Sequence, residues 1–483
     1  MAKKISTRAT GPGNINKMLI KSNTDQNKTF DITSLGAPVN FKYYESLLQD
    51  VIYASVTYVD PGNAVKPQGG DAKLTTAVAG LPITGSETVE LSFQDVNDEE
   101  IAVTLLVNKV TEVMEDSGKT MVTLDMNSKE LFDNDKIRLN TRLDGKISDH
   151  IETILTDPEY LETEKELHIE QTENNYNKIM NNKKPFYMMN YFSTLAVPGE
   201  GGDGGNASGN SAGYLLWETS EGFHFRSVDW LFNKEKNPKK KSIIYNETPD
   251  SDGANIPPGY DIKALAFEKD NRNDIKSKLD QGAYATRLIT FNPFNCFYEV
   301  TYPNADNKPG DGGGDAKGSQ KNLKLAGEKL PVLNPTIKSA KGNTNDFSRT
   351  TFKYLDVGTL PEGSGGESGE GADAEQIKKS EEENSNPAKI LNQAIQRLNQ
   401  VNNFKISITL PGDFTLHAGD TVFVDSPMLD AGKKTEQQTE VDNQSGGLYI
   451  IRDLCHYMSA ESTYTKINVV RDSVGRKGSA ENG

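Results

Sequence analysis

Apolar residues recur at every second position in block after block of this chain. Val89, Leu91 and Phe93 alternate with Glu90, Ser92 and Gln94, which puts the apolar set on one face of a half-buried strand. Ile101, Val103, Leu105 and Val107 repeat the period after the polar turn Asp95–Glu100, and Val122, Leu124 and Met126 do so after Ser117-Gly118. Ile52–Tyr58 is rich in β-branched and aromatic residues and stops at the turn signal Asp60-Pro61-Gly62. Far along the chain, Phe404, Ile406, Ile408 and Leu410 alternate with Lys405, Ser407 and Thr409. Tyr284–Phe291, Phe297–Tyr302, Thr421–Asp425, Gly447–Tyr457 and Thr463–Val470 are further strand candidates. Short strands at this spacing predict barrels or sandwiches.

Between the two β regions the period changes. Ile147, Ile151, Ile154 and Leu155 sit at helical spacing until Asp157-Pro158. Pro185 stands where a first-turn proline belongs, ahead of Met189, Phe192 and Ala196. Ile390, Leu391, Ala394, Ile395 and Leu398 give a later amphipathic helix, and the aromatic group Tyr214–Phe232 has the mixed spacing of a core. Gly199–Gly213, Pro309–Gly318 and Glu362–Pro387 are rich in Gly, Ser and acids and predict mobile surface loops. The expected fold is therefore mainly β with α+β: two β-barrel domains flanking an α/β domain. The domain map is 1–130, first barrel; 131–250, α/β with the Gly-rich loop at 199–213; 251–475, second barrel with a long insertion at about 303–387; and 476–483, a polar tail.

Charge and missing motifs limit the function classes. The 69 acids and 53 bases give a net charge of -16, which repels phosphate backbones and argues against sequence-specific binding of nucleic acid. Apolar runs such as Ile101–Val107 fall far short of the ~20 residues of a membrane-spanning helix, and Met1–Ile5 is followed by no apolar signal-peptide core. Cys296 and Cys455 read as buried thiols. His150, His168, His224, His417 and His456 show no metal-ligand spacing and read as structural or solvated. Asp133-x-Asp135 and Asp250-x-Asp252-Gly253 lack the glycine and glutamate of a calcium loop. No nucleophile elbow or phosphate-binding loop is present. The basic run Lys234–Lys241 reads as a solvated turn. No catalytic, cofactor-binding or metal-binding residue is assigned, no cofactor is expected, and the chain is not expected to be an enzyme.

Several blocks resemble a known family. They are residues 391–427, with Pro411-Gly412-Asp413 and Ala418-Gly419-Asp420, and residues 446–475, with Gly446-Gly447-Leu448-Tyr449-Ile450-Ile451 and Val470-Arg471-Asp472-Ser473. Trp217–Ser227 and Gly282–Leu288 agree as well. Together they are similar to the baseplate central hub proteins of contractile-tailed bacteriophages, especially those of marine cyanophages. The resemblance implies two tail-tube-like β-barrels around an α/β domain. It also implies a homotrimer whose six barrels form a ring joining the tail tube to the central spike while DNA passes without specific binding. The implied partners are a second and third copy of the chain, the spike, tail-tube or tube-initiator proteins, baseplate wedge proteins and the tape-measure protein, with no membrane anchor. The implied location is the virion tail baseplate, assembled in the host cytoplasm. A channel wall of acidic or neutral character follows, with Lys234–Lys241 away from it. A tail-associated peptidoglycan hydrolase and a receptor-binding adhesin with acidic Gly-rich loops are the alternatives.

Overall fold

The computed structural model describes residues 11–24, 28–36, 38–62, 75–116, 118–199, 212–245, 256, 259–271, 274–282, 286–293, 296–301, 326–329, 347–355, 384, 387–427 and 441–481. The first region supplies β1 (Asn14–Lys21), β2 (Thr29–Asp31), β3 (Asn40–Ser46), β4 (Tyr53–Asp60), β5 (Thr88–Gln94), β6 (Glu100–Asp116) and β7 (Lys119–Asn127). The middle supplies β8 (Arg142–Leu143), β9 (Leu167–Ile169), β10 (Lys178–Ile179), β11 (Tyr214–Thr219) and β12 (Gly222–Ser227), with helices Lys129–Lys136, Ile147–Thr156, Pro185–Ser193 and Val228–Leu231. The remainder holds β13 (Lys239–Ile244), β14 (Ile262–Lys263), β15 (Ala266–Asn271), β16 (Thr286–Asn292), β17 (Phe297–Thr301), β18 (Arg349–Tyr354), β19 (Phe404–Pro411), β20 (Thr421–Asp425), β21 (Gly447–Ser459) and β22 (Thr463–Arg471). Helices Ile275–Gln281 and Pro387–Val401 lie among them. The fold is mainly β with α+β, as the alternation predicts.

In the first region the strands run β3-β4-β7-β6-β5-β1-β2. Period-2 patterning turns Val89, Leu91 and Phe93 of β5 inward, where Phe93 meets Phe41 and Tyr43 of β3 at 4.8 and 5.4 Å between ring centroids. β3 and β5 are four ladders apart in the sheet, so this contact shows the sheet curling back over its own core. A second core forms from Ile406, Ile408, Val422, Val424, Ile467 and Val469. Around it the chain Ile262–Asn271 spans two branches, with Ala264 N–H donating to Ile244 O and Leu265 N–H to Thr409 O, both at 2.8 Å.

The two β regions are not separate bodies. β21 pairs antiparallel with β3 through seven Cα partners, from Asp453↔Ser46 to Ser459↔Asn40. That seam fuses both regions into one 14-stranded sheet, and the described ladders close into no independent barrel. The middle region packs its own core of Ile151, Phe186, Met189, Phe192, Phe223 and Phe225.

Several sequence expectations need correcting. Lys239–Lys241 is not a solvated turn but the start of β13, paired in parallel with β20. Lys241 lies 3.4 Å from Asp413, and Lys239 Nζ donates to Ala480 O. The segment after Arg471 is not loose. Asp472 and Ser473 are buried, Arg476 forks onto Asp425 at 3.1 and 2.9 Å, and Ala480 O accepts from Ser242 Oγ at 2.9 Å. Cys296 is exposed rather than buried, and both cysteines are free thiols. Of the expected loops, residues 200–211, 309–318 and 362–383 lie outside the described residues. No helix among the described residues is long and apolar enough to cross a membrane.

Candidate functional site

A dense arrangement of ionisable groups sits where the three regions meet. Glu45 is the last inward residue of β3 and is fully buried. Its carboxylate accepts from Tyr43 Oη at 2.8 Å, Ser220 N–H at 3.0 Å, Ala418 N–H at 2.9 Å and His417 Nδ1 at 3.2 Å. One carboxylate thus receives donors from the first, middle and last regions. Burial alone would raise its pKa. The His417 imidazolium and the two backbone donors outweigh that and hold it at about 2. Burial would likewise neutralise His417, yet Glu45, then Asp420 and Glu221, lift it to about 9. Asp420 is pushed up to about 6 by burial, against Lys240 and His417.

A second set of contacts surrounds this ion pair. Trp217 of β11 donates from Nε1 to Ala418 O at 3.0 Å. Gly419 takes φ +96°, and a Cβ there would sit 2.8 Å from the indole, so the Ala418-Gly419-Asp420 corner needs glycine both for its backbone and for the tryptophan. Glu218 accepts from Ile52 N–H at 3.0 Å and pairs with Lys165 at 2.6 Å, which also reaches Glu130 at 2.6 Å. Both carboxylates raise the Lys165 pKa against its burial. On the far side, Arg397 of helix Pro387–Val401 bridges Asp229 at 3.1 Å and Asp472 at 3.4 Å. Three of these contacts, Ile52 to Glu218, Trp217 to Ala418 and Arg397 to Asp229, cross from one region to another. This is the chemistry of a brace.

The histidines separate into two kinds. His150 Nε2 meets Tyr176 O at 2.9 Å, and His456 Nδ1 meets Thr465 Oγ1 at 3.0 Å, as structural histidines do. Burial pushes His456 down to about 3. His168 and His224, 56 positions apart, are brought face to face because β9 pairs in parallel with β12 at His224↔His168. Their ring centroids lie 4.5 Å apart, and Trp217 stacks on the other face of His224 at 5.0 Å. Sequence spacing could not show this proximity, since it arises from a three-residue strand in a charged stretch. Of the calcium-like stretches, Asp133 and Asp135 pair with Lys129 at 3.6 Å and Lys184 at 2.6 Å, and 250–252 lies outside the described residues.

One concave groove of about 1000 Å³ runs over the β3–β21 seam and onto β22 and β19. Its walls include Lys42, Glu268, Thr409, Asp453, Tyr457 and Lys466, so both charge signs face it.

No family model matches the sequence, and no curated protein matches it at a significant level. Solved structures do. The chain is similar to a tail protein from Neisseria meningitidis MC58, with TM-score 0.49 and 9% identity, covering 94% of this chain and 96% of that one. It is similar to the 43 kDa tail protein of prophage MuSo2 from Shewanella oneidensis, with TM-score 0.47 and 10% identity over 95% and 98% of the two chains. A prophage tail protein from Listeria monocytogenes EGD-e gives TM-score 0.42 and 6% identity over 95% of each.

Proposed function

We propose that this chain is a structural protein of a contractile phage tail: a baseplate hub that assembles as a homotrimer, joins the tail tube to the central spike and leaves a passage for DNA. The observation that carries this reading is the β3–β21 seam, which makes two curled β regions of one chain into a single continuous sheet. Three such chains present six β units, which converts three-fold into six-fold symmetry without a second gene product. The braced junction supports it too, because a part that transmits contraction force needs regions that cannot shear. The groove across the seam carries Lys42 and Lys466 against Glu268 and Asp453. A wall of mixed charge neutralises few phosphates and releases few counterions, so DNA would slide along it and not stick. In this reading the domains are 1–130, 131–250 and 251–475 with the tail 476–483, β13 being lent by the middle to the shared sheet.

Mass measurement of the purified chain, alone and with its spike, tests the proposal. A trimer, or a trimer formed only on the spike, is the expected result. A chain that stays monomeric with the spike present, or that releases fragments from purified peptidoglycan, would sink it.

A further inference from the structure

We propose that His168, His224 and Glu221 form a binding site for a transition-metal dication of the zinc class, placed at the junction of the three regions. The three residues come from β9, β12 and the turn between β11 and β12. One ligand atom from each, two ring nitrogens and a carboxylate oxygen, lie within 4.8 Å of one another. The parallel register His224↔His168 stacks the two imidazoles with centroids 4.5 Å apart, so coordination at the ~2.0–2.1 Å of zinc requires the rings to turn their nitrogens toward a shared point.

A separate observation points the same way. His168 Nε2 is buried and has no hydrogen-bond partner among the described residues. A polar nitrogen withdrawn from water without a partner is costly, and a coordinated cation removes that cost. His224 is oriented by the Thr219 hydroxyl at 2.9 Å and by the face of Trp217, the kind of outer support that fixes metal-ligating imidazoles. Glu221 is exposed and gives the ion a way in.

The donor set selects the metal. Two imidazoles and one carboxylate suit zinc, nickel or copper, whereas magnesium and calcium prefer all-oxygen shells. Three protein ligands leave a fourth position for water. The positive charges of Arg226 and of His417, whose Nε2 is 4.0 Å from Glu221, oppose the ion, so the site binds more weakly than a four-ligand structural zinc. Occupied, it clasps β9 to the β11–β12 turn beside the Glu45–His417 pair.

Calorimetric titration of the full chain with zinc chloride and, separately, magnesium chloride tests this. One zinc per chain and no magnesium heat are expected, with zinc affinity lowered at least about tenfold in His168→Ala and in Glu221→Gln. Cobalt substitution should give the visible absorption of a low-coordinate site, lost in the same variants. Unfolding midpoints in chelator separate lost binding from lost fold. If His168→Ala misfolds, the exposed-turn variant Glu221→Gln decides. Zinc binding absent in the wild type, or of unchanged affinity in Glu221→Gln, overturns the proposal.

Discussion

The Trp217 indole of the middle region hydrogen-bonds the carbonyl of Ala418 in the last region across 201 positions of sequence, at 3.0 Å and out of water. Both partners are buried. Replacing Trp217 by Phe keeps an aromatic ring but leaves the carbonyl without its donor, a loss of about 1–3 kcal/mol. Trp217→Ala should cost about 3–5 kcal/mol because a cavity forms as well. Urea midpoints should fall from wild type to Trp217→Phe to Trp217→Ala; a Trp217→Phe midpoint equal to that of the wild type would show that the hydrogen bond contributes nothing.

Gly419→Ala carries two penalties, a left-handed backbone at φ +96° and a Cβ 2.8 Å from the Trp217 ring. The first costs about 1–2 kcal/mol. Pairing it with Trp217→Phe in a double-mutant cycle should give non-additive losses, since the two residues touch. Strict additivity would place the strain elsewhere.

Arg397 neutralises Asp229 and Asp472, and all three are buried. Arg397→Ala removes a buried cationic partner from both carboxylates and should destabilise by about 3–5 kcal/mol. Arg397→Lys should rescue little, because one ammonium cannot fork between them. Thermal unfolding of the two variants checks this, and full rescue by lysine would contradict it.

Stability should peak near pH 6.5. His417 has its folded pKa raised from 6.5 to about 9. Its contribution is complete below 6.5 and is lost as the pH rises through about 9, by at most about 3 kcal/mol. His456 is depressed from 6.5 to about 3. It must be charged in the unfolded chain first, so stability falls as the pH drops from 6.5 toward 3. Chemical denaturation across this range should trace a dome, with the alkaline limb flattened in Glu45→Gln. An alkaline limb unchanged in that variant would remove Glu45 as its cause.

In the proposed hub, placing positive charge in the seam groove should slow DNA release. Thr409 and Glu268 both line it. Thr409→Lys with Glu268→Lys should leave tail assembly intact while lowering the rate of genome ejection, measured by dye-monitored DNA release at low salt. Ejection at the wild-type rate would argue that this groove does not face the passage.

The strands were legible because a face buried against a core writes period 2 into the sequence, as in Val89–Phe93 and Phe404–Leu410. Their partners were not. Nothing in Phe41-Lys42-Tyr43 announces Met458 opposite, since ladder pairing leaves no mark at such separation. β13 was hidden for a different reason: lysines on a strand look like lysines in a turn until the ladder to β20 is seen. The brace at Glu45 was equally silent. A glutamate in an alternating strand reads as its outward face, and only the donors of Ser220, His417 and Ala418 make an inward carboxylate tolerable. The corner glycine before Asp420, by contrast, was readable as a turn, though the indole it accommodates was not.

The seam between β3 and β21 also sets a timetable. Until residues 447–459 leave the ribosome, β3 has β4 on one side and an open row of amides and carbonyls on the other. A nascent chain therefore carries an unpaired sheet edge until β21 is made, available to any neighbouring copy. Contacts of such sequence separation form slowly, and here only after β21 has emerged. Formation of the β21–β22 hairpin is what silences the edge, so a chain lacking these two strands would be a sticky intermediate instead of a smaller folded protein.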